Sequence, residues 1–162
     1  MTELRIGEGF DIHPFADDVD GADRPLILGG VLFEGHRGLK GHSDADALAH
    51  AITDALLGAA DLGDIGHHFP DTDPAWKGAN SMRLLAATVE LVRSHGWTIC
   101  NVDSTVVLEA PKLAPHRAEM KQRLEAVVGA TVSVKAKRAE GLGALGRREG
   151  IACFAVCLLE RI

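Results

Sequence analysis

The chain is short of positive charge, cysteine and long apolar runs, and each shortage removes a class of function. It has 17 lysines and arginines against 23 acidic residues, a formal charge of −6. That balance argues against general binding to nucleic acid, while leaving room for a local basic pocket that takes phosphates. The three cysteines, Cys100, Cys153 and Cys157, lack the short spacings of a thiolate zinc site and are expected as buried, reduced thiols. No stretch approaches the ~18 apolar residues needed to span a bilayer. Met1–Arg5 lacks the apolar core of a secretory signal. Internal repeats, linkers and low-complexity tracts are absent as well. The expectation is one soluble, cytoplasmic domain with neither membrane nor nucleic acid as a partner. Its 162 residues suffice to bury a core without staples.

Periodicity then divides the chain into elements. Leu4 to Ile12 reads as a strand, and Pro25 to Phe33 as a hairpin turning at the pair Gly29-Gly30. From about Asp44 to Ala60, Ala47, Leu48, Ala51, Ile52, Ala55, Leu56 and Ala59 recur at helical spacing, with Ser43 or Asp44 available as cap. Gly63 to Pro74 reads as a loop rich in glycine and aspartate. Ser81–His95 is expected as a helix stopped by Gly96, and Thr98–Leu108 as a strand. Pro115–Val128 is expected as a third helix, followed by strands at Thr131–Lys135 and Ile151–Leu159. Helices interleaved with strands point to an α+β fold. We expect a two-layer α/β sandwich, a ferredoxin-like sheet with helices on one face, plus the β-hairpin.

The residues with most chemical content are potential metal ligands in two segments, Asp11-Ile12-His13 and His42-Ser43-Asp44-Ala45-Asp46 with His50 beyond it. A carboxylate and a histidine two apart on a strand point to the same side. A histidine on a nearby helix could complete a three-ligand site with one position open, the arrangement of a working zinc site rather than a structural one. Asp46, His50 and Asp54 follow at intervals of four, a polar stripe on one helical face. Asp46 or Asp54 is therefore expected to hold the second ring nitrogen of His50, as ligating histidines require. A solvated helix face that happens to carry one histidine is the plain alternative.

Two further segments suggest phosphate and base recognition. Lys135-Ala136-Lys137-Arg138 leads into the glycine-rich tract Ala139 to Gly150, where backbone can approach an anion closely and cations can bond phosphate oxygens. It is not a Walker loop, because the Gly-Lys-Ser/Thr ending is missing. Glu140 among these cations could hold Mg²⁺ between phosphates. A flexible basic loop is the alternative. Leu108-Glu109-Ala110-Pro111-Lys112-Leu113-Ala114-Pro115 offers free amides and carbonyls to the edge of a flat base, or is simply a proline-initiated helix start.

These motifs together carry a resemblance. Gly7 to His13, Gly41 to Asp46, Thr53 to Ala60, Leu62 to Gly66, Phe69 to Pro74 and Gly146 to Ala152 resemble, in order and over essentially the whole chain, the 2-C-methyl-D-erythritol 2,4-cyclodiphosphate synthase family of the non-mevalonate isoprenoid pathway. The resemblance implies a homotrimer with active sites between subunits. It implies cyclisation of 4-diphosphocytidyl-2-C-methyl-D-erythritol 2-phosphate with release of CMP, a lyase reaction at phosphorus. Carried over by motif, Asp11, His13 and His50 would hold Zn²⁺ or another divalent transition metal, with the substrate's terminal phosphate as fourth ligand. Glu140 would hold Mg²⁺ or Mn²⁺ between the phosphates.

The remaining implied contacts concern substrate. His42, as a catalytic residue, and Ser43 would grip the 2-phosphate side. Asp64, Ile65, Gly66, Phe69, Asp71 and Asp73 would face the methylerythritol. Leu108, Ala110, Pro111, Lys112, Leu113 and Ala114 would form a cytosine pocket contributed by a neighbouring subunit. Lys137, Arg138, Ala139 and Glu140 would meet the diphosphate, and Ala144 and Arg147 would lie toward the trimer axis. Two departures stand out. Arg138 replaces a phosphate-binding threonine of relatives and is expected as a catalytic cation, or else points away while backbone amides bind. Ala144 stands where relatives often carry an aromatic residue lining the axial cavity. The competing functions are a metal-dependent phosphohydrolase, which would make hydroxide at the open zinc position, and a zinc-stabilised binding module without turnover.

Overall fold

The computed structural model describes residues 1–16 and 24–162. Strand β1 (Glu3–Pro14) is followed by the hairpin β2 (Pro25–Leu28) and β3 (Val31–Arg37), then α1 (Ala47–Ala60) and a single helical turn α2 (Ile65–His68). After a 3₁₀ turn at Pro74–Trp76 come α3 (Ser81–Ser94), β4 (Thr98–Val107), α4 (Arg117–Val128), β5 (Thr131–Lys137), the short α5 (Gly143–Gly146) and β6 (Gly150–Arg161). The main sheet has the order β1-β6-β4-β5. β1 runs antiparallel to β6, from Glu3 opposite Arg161 to Pro14 opposite Gly150. β6 is antiparallel to β4, while β4 and β5 are parallel, as the α4 crossover between them requires. The layers expected from sequence are present, with the hairpin as a separate two-stranded sheet.

One face of the sheet is covered by α1, α3 and α4. Glycines set how closely α1 lies on β1. A Cβ at Gly9 would sit 1.9 Å from the Ala51 carbonyl oxygen, and one at Gly7 the same distance from that of Ala55. Backbone packs on backbone there, which brings a helical side chain within reach of β1 side chains. The core under the helices gathers Leu48, Ile52 and Leu56 of α1, Leu85 and Val89 of α3, Leu124 of α4, and Val102, Val106, Cys153 and Leu159 of the sheet. All three cysteines are free thiols, and Cys153 and Cys157 are buried as expected, whereas Cys100 is only half-buried. Among the described residues no helix is long and apolar enough to cross a membrane.

The hairpin turns at Gly29-Gly30, both with positive φ, the geometry a two-residue turn between twisted strands demands. Its tip is clamped to α1: Asp46 caps the helix by accepting from the Ala49 amide at 3.1 Å and also accepts from the Gly29 and Gly30 amides at 2.8 and 2.7 Å. The helix therefore starts at Ala47, three residues later than expected, with Asp46 rather than Ser43 or Asp44 as its cap. The short α2, the 3₁₀ turn and α5 fall in segments read from sequence as loops.

Candidate metal and substrate site

Odd-numbered side chains of β1 face the helix layer, so Asp11 and His13 emerge beside the N-terminal half of α1, where His50 turns to meet them. The Asp11 Oδ2 lies 2.9 Å from His13 Nε2 and 3.1 Å from His50 Nδ1. One donor atom from each residue falls within 4.8 Å of the others. The outer ring nitrogens are held. His13 Nδ1 is 2.7 Å from the Lys40 carbonyl oxygen, and a carbonyl can only accept, so that nitrogen carries the hydrogen. His13 Nε2 and the Asp11 carboxylate are then two acceptors in contact, which needs a positive centre, either a proton or a metal ion. The carboxylate and two imidazoles with one side open suit zinc or a similar divalent ion.

Electrostatics agree with this. Burial pushes the Asp11 carboxyl up, but the His13 and His50 rings against it outweigh that and hold the group at about 2. Burial would lower His13, yet its hydrogen bond and charge interaction with Asp11 raise it above the ordinary histidine value.

The partner of the other His50 nitrogen corrects the sequence expectation. Nε2 lies 2.8 Å from Ser81 Oγ and 3.1 Å from Ser43 Oγ, not near Asp46 or Asp54. Asp46 is the helix cap, so its carboxylate turns to the helix N-terminus and the hairpin. Asp54 accepts from the Ile65 amide at 2.7 Å, anchoring α2.

The triad opens into a cavity of about 430 Å³ lined by Asp11, His13, Gly41, His42, Ser43, His50, Ile65, Gly66, Phe69, Pro70, Asp71, Trp76 and Leu84. A second hollow of about 340 Å³ shares Gly41, His42 and Ser43 and adds the cations Arg24 and Lys77. His42 is half-buried, with Nε2 3.2 Å from the Asp73 carbonyl oxygen. Two aspartates from the expected set act as local caps. Asp64 accepts from the His67 amide at 2.9 Å, and Asp73 from the Ala75 amide at 2.9 Å.

No residue of 108–114 or 137–147 is among those lining this cavity. These two segments instead join each other. Leu108 donates to the Lys137 carbonyl at 3.0 Å. Arg138 places Nε and Nη2 at 3.0 and 2.8 Å from Glu109 Oε2, whose other oxygen accepts from the Gly141 amide at 3.3 Å. The Arg138 guanidinium holds the Glu109 carboxyl below its usual range. Arg138 thus lies on Glu109 at one rim of the loop that presents Glu140, which is exposed at φ 54°. Leu108 and Leu113 are buried in the core, leaving their backbone and the exposed Lys112 and Ala114 for contact. Ala110 and Pro111 line a small hollow with Phe15, His36, Arg37 and Arg148. Ala144 is exposed, and Arg147 pairs with Glu149 at 2.6 Å.

The sequence alone assigns no site role to Ser81, Glu109 or Trp76, and offers Asp44 as a helix cap. The Trp76 ring meets Phe69 edge-on at 5.1 Å across the cavity wall. Its signal was scarcity, since aromatics make up only 4% of the chain and this one follows directly on the Phe69–Pro74 motif.

A profile of the YgbB family matches residues 4–160. The chain belongs to that family. Over 164 aligned residues it is 56% identical to the 2-C-methyl-D-erythritol 2,4-cyclodiphosphate synthase of Synechococcus elongatus, with 99% of each chain covered. Among solved structures, a 2C-methyl-D-erythritol-2,4-cyclodiphosphate synthase in a CDP-bound form matches with a TM-score of 0.85 at 39% identity, covering 96% of this chain and 99% of that one. The bifunctional IspDF from Campylobacter jejuni matches all of this chain with a TM-score of 0.92 at 41% identity; this chain spans 43% of that longer one.

Proposed function

We propose that the protein cyclises 4-diphosphocytidyl-2-C-methyl-D-erythritol 2-phosphate to 2-C-methyl-D-erythritol 2,4-cyclodiphosphate, releasing CMP, in cytoplasmic isoprenoid biosynthesis. The observation that carries this is the Asp11, His13, His50 triad opening into a cavity, in a chain whose full-length relatives bear that enzyme's name. An oxygen of the substrate's 2-phosphate forms a bond to the β-phosphorus. The bond from that phosphorus to the bridging oxygen breaks, and its electron pair leaves with CMP. The nucleophile is already anionic, so no side chain need act as base, and the protein's task is positioning and charge neutralisation.

Asp11, His13 and His50 would hold zinc and Glu140 would hold magnesium or manganese; such ions would polarise phosphate oxygens and offset charge on the leaving group. His42 and the 41–43 backbone orient the 2-phosphate. Ile65, Gly66, Phe69 and Asp71 enclose the polyol beside the triad. Arg138, paired with Glu109, borders the Glu140 loop and can turn its guanidinium to a bound phosphate.

The base and phosphate segments come from a neighbouring subunit of a homotrimer. Support for this lies in their separation from the triad's cavity within one chain, and in the sheet face that, among the described residues, no helix covers. That face carries Ile6, Phe10, Ile12, Phe154 and Val156, each at least 43% exposed, with the Phe10 and Phe154 rings 5.0 Å apart. Apolar surface of this kind marks an interface.

The test is phosphorus NMR of the products formed from the cytidyl substrate, with and without a chelator. Cyclic diphosphate and CMP in equal amounts, lost on chelation and regained with zinc, are expected. Inorganic phosphate would indicate the hydrolase reading, and an absence of turnover the binding module.

A further inference from the structure

His50 is the one triad member on a helix, and its outward nitrogen points into a buried chain of hydroxyls that ends on a carboxylate. Ser81, the first residue of α3, is fully buried. Its Oγ is 2.8 Å from His50 Nε2 and within hydrogen-bonding distance of Asp44 Oδ1. Its amide donates to Asp44 Oδ2 at 3.0 Å. The donor directions follow from the end of the chain. The Asp44 carboxylate accepts, so Ser81 spends its one O–H there and its oxygen must accept from His50 Nε2–H. Ser43 can give its own hydrogen to Ser81, 3.2 Å away, while accepting from the Ala45 amide at 3.2 Å. Every hydrogen then has a place, and the His50 lone pair is left on Nδ1, facing Asp11.

We infer that Asp44 and Ser81 are positioning residues for the metal site: they fix the tautomer and ring angle of His50 so that Nδ1 is presented to a divalent cation. This rests on the metal reading above and adds two residues outside the triad. The same groups tie the cavity wall to the ligand, because the Asp44 amide donates to the Ala79 carbonyl at 3.0 Å and Gly78 donates to the His42 carbonyl at 2.8 Å.

The measurement is zinc affinity by competition with a chromophoric chelator, on the full chain, for wild type, Ser81→Ala, Asp44→Asn and the double variant. Loss of such a partner typically weakens metal binding by about 10- to 100-fold. Ser81→Ala is expected in that range. Asp44→Asn is expected to weaken binding less, and the double variant no more than Ser81→Ala alone, since both act through one bond. Ser81→Ala keeps the backbone bond to Asp44, so the melting temperature of the metal-free protein is the control for folding. Nitrogen-15 NMR of the metal-free His50 ring supplies a readout that a merely structural role would not move. The Nε2–H tautomer should dominate in wild type and lose its preference in Ser81→Ala. Zinc affinity within twofold of wild type, or an unchanged tautomer, overturns the assignment. Wild type that binds no zinc while showing the expected tautomer change would instead remove the metal reading and leave the relay standing.

Discussion

At the scale of single residues, the division of labour between His50 and His42 makes the sharpest demand. His50 faces Asp11, whereas the His42 ring, among the described residues, meets the Asp73 carbonyl. His42→Ala should therefore lower kcat by about 100-fold, as loss of one well-placed polar contact to a reacting group does, with zinc content by elemental analysis unchanged. His50→Ala should lose the metal; loss of zinc in His42→Ala would contradict the assignment.

The contact of Asp11 with His13 carries a pH signature. Asp11 is lowered from 3.8 to about 2 and His13 is raised from 6.5. The depressed acid contributes stability above its ordinary value that disappears as pH falls through about 2. The raised histidine contributes stability that is complete below 6.5 and disappears as pH climbs through its raised value. Both describe one contact, so the metal-free protein should draw most from it in the window between those limits. Zinc requires the histidine unprotonated, so its stabilising effect should grow as pH rises through the same range. Melting temperatures of metal-free and zinc-loaded protein should thus trend in opposite directions against His13→Gln. Parallel trends would mean that the contact is not the proton's or the metal's site.

At the scale of elements, the site exists because α1 lies on β1 at glycine distance. Gly9→Ala forces a carbon into the Ala51 carbonyl and should cost about 3 kcal/mol, the upper end of ordinary overpacking because backbone must move. The same shift withdraws His50 from Asp11, so denaturant unfolding and zinc affinity should worsen together; an unaltered zinc affinity would show that the helix spacing does not set the site. This is also where sequence and structure part. Asp11 and His13 were legible because a strand's two-residue period puts them on one side, and His50 because the helix carrying it has a strong apolar repeat. The hydroxyl partner of His50 was not legible. Ser81 lies 31 residues along the chain, and only the packing of α3 against α1 brings it back. Asp46, at the helical interval of four, looked better placed, but the helix begins one residue after it and the carboxylate serves the hairpin amides instead. The one-turn helix at Ile65–His68 was read as loop because four residues carry no period, and its start is fixed from outside by Asp54.

At the scale of the whole molecule, the described sheet has one face under helices and the other apolar and exposed, the face that the proposed trimer would bury. A Phe10→Asp, Phe154→Asp variant should leave the monomer fold intact and shift the sedimentation coefficient from trimer to monomer. Turnover should be lost with trimerisation, because in the proposed assembly the triad and the Arg138–Glu140 loop serve one site only across a subunit boundary. An active monomer would contradict that assembly. The central claim lies deeper than assembly: the metal site places a phosphate for attack by the substrate's own phosphate and does not make hydroxide from water. Turnover of the cytidyl substrate in water enriched in oxygen-18, followed by mass spectrometry of the products, tests it most directly. Intramolecular attack consumes no water, so the cyclic diphosphate and CMP should carry no added label. Label in a phosphorylated product would contradict the account.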